Sequence, residues 1–153
     1  MTRCLALKAA LLRWCGAKIG KDVRICSSVS IIGSGNLEIK DNTWIGPHTL
    51  ICVSTEIKIG SNCDIAPMVY IGYGTHSITP SQNRIAGKDV SSPISIGNGC
   101  WISAKSTILA NTSIPKMCVV AAGAVVTTKI DQVHSLIAGV PARVIKNFKD
   151  DAN

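Results

Sequence analysis

Ile or Val returns at every sixth residue over most of this chain, usually with a small residue behind it. The first runs are Ile19, Ile25, Ile31; then Ile39, Ile45, Ile51; then Ile59, Ile65, Ile71. After an interval the series resumes as Ile96, Ile102, Ile108, Ile114, Val120 and Val126 without a break. A six-residue period fits neither a 3.6-residue helix nor a simple hairpin ladder. It predicts short strands joined by tight corners, each sending one aliphatic side chain to a common axis. Three such strands close a triangular coil, and stacked coils bury a continuous Ile/Val column.

The interruptions follow the same logic. Two extra residues separate Ile31 from Ile39 and Ile51 from Ile59, and nineteen extra residues precede Ile96. Each insertion falls after a third unit, so all three leave from one corner of the prism. The long excursion, residues 77–95, is rich in Ser, Gly, Pro and charge, as a solvated functional loop would be. The chain divides into an N-terminal helical cap at 1–15, coils over 16–131, and a C-terminal segment and tail at 132–153. Residues 2–14 read as a short amphipathic helix retained in the mature chain. It either caps the coil end or attaches loosely to an anionic membrane surface.

Composition narrows the class. The 21 Ile against 8 Leu favour strands over a helical bundle. Hydrophobic residues at 46% exclude a disordered chain, and 4% aromatics argue against base stacking, so no nucleic-acid partner is expected. No apolar run approaches the roughly 20 residues of a spanning helix. Seven cysteines, with no C-x-x-C and no zinc-finger spacing, read as reduced thiols in a cytoplasmic protein. Cys26, Cys52, Cys63 and Cys100 occupy small-residue positions of the repeat. The formal charge is +7, part of it at Lys129, Arg143 and Lys146.

Four features in order carry a resemblance: the hexapeptide run, Gly-Thr-His76 before the external loop, Ile96-Gly-Asn-Gly-Cys-Trp101-Ile-Ser-Ala, and Ala138-Gly-Val-Pro-Ala-Arg143-Val-Ile-Lys146. Over residues 16–146 the chain resembles the hexapeptide-repeat acyltransferases, with the closest likeness to acetyl-CoA-dependent sugar O-acetyltransferases of the galactoside and maltose type. The resemblance implies an all-β, left-handed parallel β-helix of about five triangular coils with a short N-terminal helix and a C-terminal tail. It also implies a homotrimer with active sites between subunits.

Acetyl transfer to a hydroxyl needs a base, donors for the developing oxyanion, and a groove for coenzyme A. Histidine is suited to the first task near neutral pH. His48 lies inside a regular unit, at an outward corner, and His134 beyond the last unit; His76 stands where the repeat breaks. The resemblance makes His76 the catalytic base, oriented by a backbone carbonyl or by a carboxylate, either Asp64 or Asp89. It assigns the oxyanion to a backbone N–H, with Ala104 favoured. Small residues at Ser103, Ala104, Ala121, Ala122 and Gly123 would let a pantetheine arm lie against the backbone, though coil corners demand small residues in any case. Among them the resemblance favours Ala104 and Ala122. Thr127, Lys129, Arg143 and Lys146 form a basic end for the cofactor's phosphates, and Trp101 is a packing residue at the edge of the site or a ring contact to the cofactor. Tyr73 and Arg84 are candidate acceptor contacts, Arg84 toward an anionic sugar.

One departure bears on the acceptor. Small-sugar acetyltransferases show Ile-Ala-Pro-Asn where this chain has Ile65-Ala-Pro-Met68, which argues against a simple galactoside or maltose acceptor. The expected activity is therefore O-acetylation of a surface-polysaccharide sugar or its precursor, without a metal. N-acetylation of an amino-sugar nucleotide and a non-catalytic β-helix scaffold are the alternatives. A zinc enzyme is disfavoured because His48, His76 and His134 lack the spacing of a three-histidine site.

Overall fold

A computed structural model of the chain describes residues 5–72, 74–79 and 83–148. One helix, α1 (Leu5–Trp14), precedes five complete triangular coils. The first coil is β1 (Lys18–Ile19), β2 (Arg24–Ile25) and β3 (Ser30–Ile32). The second is β4 (Asn36–Ile39), β5 (Trp44–Ile45) and β6 (Leu50–Cys52); the third is β7 (Glu56–Ile59), β8 (Asp64–Ile65) and β9 (Tyr70–Ile71). An antiparallel hairpin, β10 (Thr75–Ile78) and β11 (Ala86–Val90), then leaves the prism. The fourth coil is β12 (Ile94–Ile96), β13 (Trp101–Ile102) and β14 (Thr107–Ile108), and the fifth is β15 (Ser113–Ile114), β16 (Val119–Val120) and β17 (Val125–Val126). β18 (Ser135–Gly139) begins a sixth turn and folds back through a cis Val140–Pro141 peptide into β19 (Ala142–Asn147).

The coils stack into three parallel faces, which we call A, B and C. Face A runs β1-β4-β7-β12-β15, face C runs β3-β6-β9-β14-β17, and face B runs from β2 to β18 with β19 as its last strand. Every register pairs equivalent residues of the repeat, for example Ile25 with Ile45, Ile45 with Ile65, and Ile65 with Ile102. The predicted inward column forms, and Ile25, Ile39, Ile45, Ile51, Ile65, Ile71, Ile102 and Ile108 are fully buried. Each contributes about 1.5–3 kcal/mol of transfer free energy. Ile31 is half-buried, because β3 belongs to the end coil.

All three insertions do leave from the C-to-A corner. The two short ones lengthen face A instead of making loops. β4 and β7 gain a second inward residue, Leu37 and Ile57, and β12 matches them with Ile94. The long excursion is a hairpin that starts at Thr75, before the expected residue 77.

The other two corners are built from left-handed residues. Asp22, Asn42, Asn62, Gly99, Met117 and His134 form the A-to-B column, with φ between +52° and +67°. His48, Met68, Lys105 and Gly123 form the B-to-C column, with φ between +59° and +70°. Asn, Asp and Gly tolerate this conformation, whereas longer side chains adopt it at a cost.

A buried polar column lines the inside of the A-to-B corner. Thr43 donates to the Gly60 carbonyl (2.7 Å), Cys63 to Gly97 (3.1 Å), Cys100 to Pro115 (3.0 Å) and Cys118 to Gln132 (3.4 Å). Each side chain thus satisfies a carbonyl of the next coil, and cysteine supplies a small apolar body with a weak donor. The six described cysteines are free thiols, and only Cys15 is fully exposed among them. Cys118 joins this column although the repeat alone did not single it out. Burial pushes the Cys63 thiol up and the Cys100 thiol up to about 12.

Two predictions follow from the corners. Met117→Asn should raise stability by about 1 kcal/mol, read from denaturant midpoints, because Asn accepts the left-handed conformation that Met117 is held in. The raised thiol pKa values imply that the folded state keeps protons that the unfolded chain releases above its ordinary cysteine range. Stability should therefore fall as pH climbs from about 9 toward 12. Cys100→Ala should flatten that fall, measured by alkaline denaturation.

Candidate active site

His76 sits on β10 of the hairpin, paired in register with Asp89 on β11. Its Nδ1 lies 2.9 Å from the Asp89 carboxylate and 3.3 Å from the Gly87 carbonyl. Nδ1 is therefore the ring nitrogen that faces acceptors, and a proton on it is donated to Asp89 or Gly87. Nε2 has no partner among the described residues, and the ring is 53% exposed, beside Asp89 at 85%. Two acceptors thus hold the ring from its Nδ1 side and leave Nε2 on the side away from them. Of the two carboxylates considered from the sequence, Asp89 meets the imidazole, while Asp64 lies on face B.

The small residues separate into two kinds. The Ser103 amide donates to Val120 (2.9 Å) and the Ala121 amide to Ile137 (2.8 Å), so both belong to the ladder. The amides of Ala104 and Ala122 find no acceptor among the described residues. They stand at the B-to-C corner in the column that holds Pro47 and Pro67 in the second and third coils. Proline has no N–H to offer. The second and third coils therefore withhold a donor at this corner, whereas Ala104 and Ala122 in the fourth and fifth present one, as does Ser27 in the first coil beneath α1. The change from Pro to Ala was legible in the sequence as a departure within the repeat, and the spent amides of Ser103 and Ala121 were not.

Trp101 points outward from face B, 53% exposed, between Asp64 and Val119. β19 follows three strands further along the same face, about 14 Å away at the usual strand spacing. It carries Arg143, whose Nη1 donates to the Ala142 carbonyl (2.8 Å), and Lys146, which lies 5.8 Å from the Phe148 ring centre. Thr127 and Lys129 are exposed but leave from the opposite side of face C, where Ile130 bonds to Ser113 of face A. The basic end is therefore spread over two edges of the pole.

Arg84 is exposed near the hairpin tip, next to Ile85, whose carbonyl accepts from Thr79. Tyr73 lies outside the described residues. His48, His76 and His134 occupy three different corners, and no group of three His, Cys, Asp or Glu among the described residues could hold a metal ion.

A protein of Escherichia coli K12 named as a colanic acid biosynthesis acetyltransferase is 32% identical over 139 residues, spanning 91% of this chain and 74% of its own. Galactoside O-acetyltransferase of the same organism is 29% identical over 143 residues, spanning 94% and 70%. Among solved structures, the hexapeptide-repeat-containing acetyltransferase VCA0836 of Vibrio cholerae superposes with a TM-score of 0.81 at 25% identity, over 95% of this chain and 82% of that one. That protein has also been solved with acetyl coenzyme A. No protein-family model matches the chain. The chain belongs to the hexapeptide-repeat acetyltransferases and is itself an acetyltransferase.

The unpaired amides can be tested with minimal disturbance, since the same corner already accommodates Pro47 and Pro67. Ala104→Pro should leave the circular dichroism spectrum intact; on the expectation that this amide meets the oxyanion, it should lower turnover about 10²–10³-fold. Ala122→Pro should instead weaken acetyl-CoA binding, read by calorimetry.

Proposed function

We propose that the chain transfers acetyl from acetyl-CoA directly to a hydroxyl of a surface-polysaccharide sugar, of capsule or lipopolysaccharide, or of its precursor. The observation that carries this reading is the imidazole of His76, fixed by Asp89 and Gly87 with Nε2 open to solvent. Nε2 takes the hydroxyl proton as the acceptor oxygen attacks the thioester carbonyl. Asp89 then stabilises the imidazolium, and the thiolate of coenzyme A leaves and takes up the proton. The Ala104 amide faces the developing oxyanion, and the Ala122 amide holds the pantetheine arm. Trp101 borders the groove, while Thr127, Lys129, Arg143 and Lys146 meet the phosphates. Arg84, with Tyr73, contacts the acceptor. No metal enters the reaction.

A trimer is part of this reading. His76 leaves from the C-to-A corner, whereas Ala104 and Ala122 stand at the B-to-C corner of the same chain. Two copies packed side by side can bring one copy's hairpin to the other's amides, and three-fold closure repeats the contact with no surface left over. The division of basic residues between two pole edges supports the same arrangement. The names of the relatives support a saccharide acceptor. Met68 in place of the family's Asn favours a larger or less polar contact than a small sugar offers. Free buried thiols support a reducing, cytoplasmic location.

The test is incubation with labelled acetyl-CoA and a panel of surface glycans, followed by location of the acetyl group. We expect an ester-linked acetyl and a sedimentation mass three times that of the chain. His76→Ala should lose about 10²–10⁴-fold in kcat while keeping acetyl-CoA affinity. Near-full transfer by that variant would refute the mechanism, and an amide-linked product would move the chain to the amino-sugar class.

A further inference from the structure

We propose that the N-terminal pole of the prism is a docking surface for an anionic lipid bilayer, with the outer face of α1 lying at the boundary between headgroups and acyl chains. The surface is separate from the residues assigned above to acetyl transfer.

The helix has two distinct duties, read from its side chains. Ala9 is buried and Leu12 packs partly against the core, so one side seals the first coil. From the flanks, Lys8 donates to the carbonyls of Ser27 (3.0 Å) and Val29, and Arg13 donates to Ile19 (2.8 Å) and Gly20. These two cations are spent on closing the open end of the ladder. Leu7, Leu11 and Trp14 occupy the opposite side, 58%, 52% and 87% exposed. At about 100° per residue they fall within an arc of about 60°. A helix that only capped the coil would turn polar residues outward. This one turns three large apolar side chains to the exterior and no charge among them.

What surrounds the stripe identifies the occupant. Lys18, Lys21 and Arg24 are exposed on the first coil, which carries one acidic residue, Asp22; Glu38, in register with Lys18, and Asp41, which accepts from the Lys21 amide, belong to the second coil, further from the pole. An apolar stripe on a pole whose first coil is net basic matches an anionic interface, where indole rings also favour the headgroup depth. A second copy of the chain fits poorly. Pole-to-pole contact would be two-fold and would set this basic first coil against itself. Three side chains also fall well short of the roughly 800 Å² per partner of a stable interface. Among the described residues no helix is long and apolar enough to cross a membrane, so α1 would lie on the surface.

The experiment is co-sedimentation of the full chain with phosphatidylcholine vesicles, with and without about one third phosphatidylglycerol. We expect pelleting with the anionic vesicles only, a blue shift of tryptophan emission on binding, and weakening as salt rises. Leu7→Ser with Trp14→Ser should lower the partition at least about tenfold. Lys21→Glu with Arg24→Glu, which leaves the helix untouched, should lower it as well. Circular dichroism and acetyl-CoA calorimetry should be unchanged in all variants, which separates this proposal from the acetyl-transfer reading. No pelleting, pelleting that survives both pairs of substitutions, or a lipid-free mass that halves in the Trp14 variant would overturn it.

Discussion

The structure depends on one constraint: each coil must hand its backbone hydrogen bonds to the next in the same register. Parallel strands of two residues have almost no stability alone, so the fold exists only as a stack. In-register stacking puts like over like, and the column from Ile25 through Ile45, Ile65 and Ile102 follows from it. The corners inherit the same demand. A chain that turns every six residues needs a left-handed residue at most turns, which explains Asn42 and Asn62 and makes Met68, Lys105 and Met117 long side chains held there at a cost. A stack also has two open ends. Lys8 and Arg13 close one with side-chain donors, and the β18–β19 hairpin closes the other with an antiparallel strand.

The candidate site follows from what the ladder leaves over. Amides at most positions are committed to the neighbouring coil, and at the B-to-C corner the second and third coils remove theirs with Pro47 and Pro67. Ala104 and Ala122 are therefore donors that the fold does not use. The hairpin leaves from the C-to-A corner, whereas Ala104 and Ala122 stand at the B-to-C corner. That separation within one chain makes assembly a chemical requirement of the proposed reaction. The hairpin compensates for its exposure by pairing His76 with Asp89 across the strand, which fixes the imidazole where packing cannot.

The interior of the A-to-B corner shows how the same stack handles polarity. Thr43, Cys63, Cys100 and Cys118 donate hydrogen bonds to carbonyls one coil on, so the column is satisfied. Thiols that burial keeps protonated are poor nucleophiles, and their role is structural.

The sequence by itself determined the coil, because its period is an alphabet of inward and outward positions that stacking merely repeats. It determined the corner from which every insertion leaves, and it marked His76 as the histidine that stands where the repeat breaks. It also carried the family, through Gly-Thr-His76 and the segment ending in Arg143 and Lys146. The tertiary structure alone decided between Asp89 and Asp64, because the hairpin's strand register is not written in spacing. It alone showed Ser103 and Ala121 spent and Ala104 and Ala122 unspent, since an amide's availability depends on what lies in the next coil. It split Thr127 and Lys129 from Arg143 and Lys146, residues close in sequence but on different edges of the pole. In a solenoid, local pattern fixes the cross-section, whereas what each group faces is settled only when neighbouring coils are in place.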